Sequence, residues 1–138
     1  MALPTAQLRG ITTDLASQLK ERGLKDSEQF LAAVKTPKQR AELAKALAAD
    51  EKAILELANR ADLARIKGIG EVFADLLEQG GVDTVKELAR RVPENLHATL
   101  IELNQAKKIS GRQPTLDMVK DWVAQAKDLP KLLEYQTG

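Results

Sequence analysis

The chain has no cysteine, a single histidine, and four aromatic residues in all: two Phe, one Tyr and one Trp. Each scarcity removes a class of explanation. Without cysteine there are no disulfides and no thiolate metal sites. With only His97 there is no histidine pair at metal-ligand spacing, and neither a Gly-x-Ser-x-Gly elbow nor a Walker phosphate loop occurs. At 3% aromatic content the core is built from Leu, Ala, Ile and Val, which favours closely approaching helices over a β-sandwich. No apolar run approaches the roughly 18 to 20 residues needed to cross a bilayer. The start Met-Ala-Leu-Pro-Thr lacks the basic and apolar regions of a signal peptide. A cytoplasmic protein with no membrane partner is expected.

Charge of one sign is lacking too. Lys and Arg number 21 against 20 Asp and Glu, a net of +1, whereas dedicated nucleic-acid binders carry a basic excess on one face. Any anion-binding footprint must therefore be local. What is present is the composition of a soluble globular protein, 43% apolar and 30% charged over 138 residues, enough for one ordinary core or two small ones leaning on each other.

The chain repeats itself. Gly10-Ile11-Thr12 aligns with Gly68-Ile69-Gly70, Leu19 with Leu77, Gly23-Leu24 with Gly81-Val82, and Phe30 with Leu88, all at one offset. After a two-residue slip the match continues through Pro37 with Pro93, Ala44 with Leu100 and Leu47 with Leu103, then more loosely as Leu57 against Trp122. Such symmetry points to two copies of one supersecondary unit. The expected division is residues 1–64 and 65–138, packed as one compact unit.

Helix signals punctuate both copies. Asp26 with Gln29, and Thr84 with Glu87, stand at capping-box spacing. Thr36-Pro37 and Val92-Pro93 place proline at a first helical position, and Gly23 and Gly80-Gly81 suit left-handed C-terminal caps. Apolar stripes of helical period, such as Ile54, Leu57, Ala58, Ala61 and Val119, Trp122, Val123, Ala126, complete the pattern. These signals predict an all-α fold of eight helices without a sheet, with helices near 13–22, 27–35, 37–48, 51–65, 71–79, 85–91, 93–108 and 116–129.

The segment Leu63-Ala64-Arg65-Ile66-Lys67-Gly68-Ile69-Gly70 has the sequence of a helix-hairpin-helix. Its glycines permit positive φ and close backbone approach. The helix that starts after it adds unpaired N–H groups and the positive end of its dipole. Arg65, Lys67, Gly68, Ile69 and Gly70 are accordingly the candidate phosphate contacts, with Lys67 and Arg65 supplying charge and Glu71 subtracting from it. The competing reading is a plain interhelical turn closed by glycines. In the first hairpin, Thr12 replaces the second glycine; it resists positive φ and makes a good N-cap, so that copy is expected to be structural. Arg9, aligned with Lys67, keeps a weaker contact open there. Lys107, Lys108 and Arg112 form a further acid-free basic cluster, which also fits cations complementing a helix C-terminus.

From about Ala61 to Leu129, the run Ile66-Lys67-Gly68-Ile69-Gly70, then Gly81 to Ala89, Pro93 to His97, and Pro114 to Leu129 with Trp122 resembles the bacterial family catalogued as domain of unknown function 4332. The N-terminal half looks like a diverged copy. That family is grouped with helix-hairpin-helix proteins and has no assigned reaction. The wider class contacts DNA backbone without reading sequence, often through paired hairpins. The resemblance thus implies contact through Lys67 to Gly70, while Thr12 departs from the paired arrangement.

Two functions stand on these residues. One is a non-enzymatic module that binds DNA or RNA backbone nonspecifically. The other is a protein-interaction or scaffold module, self-association included, in which the hairpin is purely structural. His97 and Trp122 read as structural and core residues, and nothing in the sequence calls for a cofactor or metal.

Overall fold

Residues 2–135 are described by a computed structural model. Among them are eight α-helices and no strand: α1 (Thr13–Glu21), α2 (Ser27–Ala33), α3 (Pro37–Leu47), α4 (Glu51–Leu63), α5 (Glu71–Gln79), α6 (Val85–Ala89), α7 (Pro93–Lys107) and α8 (Leu116–Asp128). The all-α reading holds, and every expected helix is present with its ends shifted by two residues or fewer. A short 3₁₀ turn at Thr5–Gln7 precedes α1; three residues are too few to show a period.

The expected caps are formed. Asp26 accepts from the Gln29 N–H at 2.8 Å and Thr84 from the Glu87 N–H at 3.2 Å. Thr36 and Gln39 form a reciprocal capping box ahead of Pro37. The other two pairs close differently. Gln29 reaches back to the Lys25 N–H at 2.8 Å, one residue before the cap. The Glu87 carboxylate turns instead to Arg91 at 3.1 Å, the charged partner four residues on, a stronger acceptor–donor match than a backbone amide.

The chain divides into two compact units, Ala2–Asp62 joined by the residues from Leu132 on, and Leu63–Lys131. Although the expected boundary places residues 132–135 with the second copy, Leu133 is buried in the core of the first unit with Leu19, Phe30, Val34, Ile54 and Leu57. The second core gathers Ile66, Ile69, Leu77, Val82, Leu88, Leu100 and Trp122. In each unit the last helix lays the same kind of stripe into the core: Ile54, Leu57, Ala58 and Ala61 from α4, and Val119, Trp122, Val123 and Ala126 from α8, all buried.

Arg40 ties the tail to the first unit. It is 3% exposed, donates from Nη1 to the carbonyls of Val34 (2.8 Å) and Lys35 (3.1 Å), and from Nη2 to that of Glu134. Its guanidinium lies 5.8 Å from the centre of the Tyr135 ring, and the Tyr135 hydroxyl donates to Asn59 Oδ1 at 2.8 Å. Burial pulls the Arg40 pKa below its ordinary value, with Tyr135, Glu51 and Glu134 acting the other way. A buried guanidinium is tolerated when its donors are matched, and three backbone carbonyls take three of its five N–H groups here.

Candidate functional site

The two hairpins share one backbone device. The first glycine of each takes a left-handed conformation, Gly10 at φ +89° and Gly68 at φ +98°. The next residue then donates back across the turn, Ile11 N–H to Leu8 O at 3.2 Å and Ile69 N–H to Ile66 O at 3.1 Å. Both isoleucines point inward: Ile69 is buried and Ile11 is half-buried. Positive φ is thus required at the first glycine of each turn and not at the second. Gly70 has φ −98° and ψ −161°, ordinary extended backbone, as has Thr12 at φ −83° and ψ 157°.

What separates the hairpins is side-chain chemistry. Thr12 Oγ1 accepts from the Leu15 N–H at 3.1 Å and closes the start of α1. At the start of α5 no side chain caps the helix, which leaves the N–H groups of its first turn pointing outward with the positive end of the dipole. Nothing stands within 4 Å of where a Gly70 Cβ would be, so the spot is open to a guest.

Each hairpin is also held from behind by the last helix of its unit. Arg60 of α4 donates to the Arg9 carbonyl at 2.6 Å. Gln125 of α8 takes the matching role in the second unit, donating to the Lys67 carbonyl at 3.1 Å and accepting from the Lys67 N–H at 2.9 Å. Asp121 steadies that amide, accepting from Gln125 Nε2 at 2.8 Å. Two amides of the second turn, those of Lys67 and Ile69, are therefore satisfied internally, and an anion would have to be met by the start of α5.

The five sequence candidates fall into two groups. Lys67 and Gly68 are exposed and Gly70 is partly so, and these three face solvent. Ile69 belongs to the core, and Arg65 donates to the Pro130 carbonyl at 2.7 Å. Glu71, in the first turn of α5, opposes the charge of Lys67.

The model of the family described as Domain of unknown function (DUF4332) matches residues 9–129, which span both hairpins. The chain belongs to this family. No curated protein and no solved structure matches it significantly. The likeness read in the sequence over Ala61 to Leu129 thus extends through the first unit.

In this DUF4332 protein the secondary cations are spread out. Lys107 and Lys108 end α7, where Lys108 itself takes the left-handed conformation at φ +51°. Arg112 instead lies 5.9 Å from the centre of the Phe73 ring, and Phe73 packs at 5.3 Å and 52° on Trp122. A Cβ on Gly68 would come within 3.1 Å of Trp122 Nε1. The stack Trp122, Phe73, Arg112 therefore buttresses the second hairpin and sets a cation over the ring of Phe73, a residue of the first turn of α5. Sequence reasoning missed both this stack and Gln125, since Arg112, Trp122 and Gln125 are far from the hairpin in the chain and only packing brings them to it. Arg9 is exposed beside the capped hairpin.

His97 Nε2 lies 3.1 Å from the Pro114 carbonyl. Among the described residues no group of three or more His, Asp or Glu is placed to hold a metal, and no helix is long and apolar enough to cross a membrane.

Proposed function

We propose that the protein is a non-enzymatic binding module of the helix-hairpin-helix class, built from two copies of one unit of which the first has diverged. Its second hairpin takes a backbone phosphate of DNA or RNA without reading sequence. The observation that carries this reading is the difference at the helix starts: α1 is closed by Thr12, and α5 begins at Gly70 with no side-chain cap. Lys67 and Arg112 add positive charge beside that opening, and backbone N–H groups at a helix start are a ready phosphate site. The matched hydrogen bonds of the two hairpins support common descent of the units.

With nearly balanced charge over the chain, binding rests on one or two phosphates. The logarithm of affinity should then fall against that of salt with a slope of only about −1 to −2. Titration of labelled duplex and single-stranded DNA, and of RNA, at low and moderate salt tests this. Lys67→Glu, at an exposed position, should weaken binding severalfold while circular dichroism stays unchanged. Absence of salt-dependent binding by the unmodified protein would sink the proposal, as would indifference to Lys67→Glu.

A protein-docking role is favoured by a different feature, a basic cleft elsewhere in the second unit.

A further inference from the structure

A cleft of about 270 Å³ opens between α6 and α8, lined by Val85, Lys86, Ala89, Arg90, Ala126, Lys127, Leu129 and Lys131. Its floor is aliphatic. Its rim carries four cations, Lys86, Arg90, Lys127 and Lys131, all exposed, and the lining holds no carboxylate. Lys86 and Lys127 stand in the last turns of their helices, where the dipole favours a cation. The dipole also favours Arg90 at the C-cap of α6, but it does not account for Lys131, which lies beyond the C-cap of α8, or for the convergence of four like charges in a unit whose basic and acidic residues are nearly balanced. Such clustering costs repulsion unless an anionic partner relieves it.

Arg90 also lines a second cleft, with Arg91, Val92, Asn95, Leu96 and Thr99. There Val92 is 54% exposed, the most exposed large apolar side chain among the described residues. The two clefts share Arg90 as a lining residue.

We propose that this surface docks an acidic amphipathic segment of a partner protein, with apolar side chains seated on Val85, Ala89, Ala126 and Leu129 and carboxylates meeting the four cations. Charge complementarity sets the sign of the partner, and the floor sets its second property. A single strand would want an aromatic platform, which the lining lacks, and a duplex met through its phosphates would leave the aliphatic floor unused. A bilayer surface would be met by protruding apolar side chains, whereas these lie at the bottom of a cleft. An apolar face laid into a groove, with charge at the edges, is a recurring mode of helix recognition. This inference does not rest on the nucleic-acid reading and uses none of its residues.

The test uses the full chain and a labelled synthetic helical peptide with leucines at helical spacing among glutamates. Two control peptides replace leucine by serine or glutamate by lysine; duplex DNA and phosphatidylserine vesicles serve as competing probes. The leucine–glutamate peptide should bind at least about tenfold more tightly than either control. The double variant Arg90→Glu, Lys127→Glu, both at exposed positions, should weaken it by about tenfold or more, while Lys67→Glu leaves it unchanged. Amide chemical shifts should move at Ala89, Arg90, Ala126 and Leu129. Equal binding of the serine control would overturn the proposal, because charge alone would then suffice. So would indifference to the double variant, or tighter binding of DNA or vesicles at the same amides.

Discussion

The two hairpins of this chain make the same turn and differ at its exit. Both bend at a left-handed glycine, both return a backbone hydrogen bond across the turn, and both are gripped by a polar side chain from the last helix of their unit. One exit is filled by the Thr12 hydroxyl and the other is bare at Gly70. The two scaffolds share the turn and differ in what supports it, Arg60 and Leu57 in one unit and Gln125 and Trp122 in the other, so the residue at the exit is compared most cleanly by exchanging it within one hairpin. The difference teaches that the turn is a folding device, since it forms alike with a capped exit and with an uncapped one.

The comparison can be broken most forcefully at a large core residue of each unit. Trp122 and Leu57 hold matching places in α8 and α4, and both are buried. Trp122→Ala should cost about 4 kcal/mol and Leu57→Ala about 3 kcal/mol, through lost burial and a residual cavity. Urea denaturation followed by circular dichroism measures both. Trp122→Ala should in addition loosen the second hairpin, since Gly68 and Phe73 lean on the indole. An equal or smaller loss for Trp122→Ala would mean that the tryptophan is not the anchor of its core.

Much of this architecture is legible in the sequence because its signals are local. A threonine before a proline, an aspartate three residues before a glutamine, and a glycine after an apolar stripe each fix a helix end within a few residues. The stripes of α4 and α8 similarly announce which faces are buried. Partnerships between distant residues are not legible in this way. The grip of Gln125 on Lys67, the placement of Arg112 on Phe73, and the return of Leu133 to the first core are set by three-dimensional packing. No period or short motif encodes them. The same holds for the cleft of Lys86, Arg90, Lys127 and Lys131, whose cations look in sequence like ordinary helix-face and helix-end charges. At the hairpin, spacing alone also misattributes the second glycine: Gly70 needs no positive φ, and its contribution is the absence of a cap.

The glycines at the turns sharpen the comparison at a smaller scale. Alanine at either position meets the left-handed conformation, worth roughly 1 to 2 kcal/mol. At Gly68 the new methyl also meets Trp122 Nε1 at 3.1 Å, in a side chain fixed in the core. At Gly10 it meets Arg60 Nη1 at 3.0 Å, the far end of a flexible side chain. Gly68→Ala should therefore lose about 2 to 3 kcal/mol and Gly10→Ala about 1 to 2 kcal/mol. The fluorescence of the lone tryptophan reports on the second unit and that of the lone tyrosine on the first, so urea titration can read each substitution in its own unit. Equal losses would show that Trp122 yields as readily as Arg60.

The smallest effect on stability should be the most informative about function. Thr12→Ala removes a cap and should cost about 1 kcal/mol. Gly70→Thr makes the converse change: the backbone is already extended, no atom lies within 4 Å of the new Cβ, and the hydroxyl can accept from the first turn of α5 as Thr12 does for α1. It should stabilise the protein by a few tenths of a kcal/mol to about 1 kcal/mol. If the bare helix start is the phosphate site, the same hydroxyl fills it, and salt-dependent binding of DNA should fall severalfold as stability rises. A loss of binding with a loss of stability would be ordinary damage; opposite movement of the two is what only an occupied anion site produces. Retention of full binding by a more stable Gly70→Thr protein would place any nucleic-acid contact away from the start of α5.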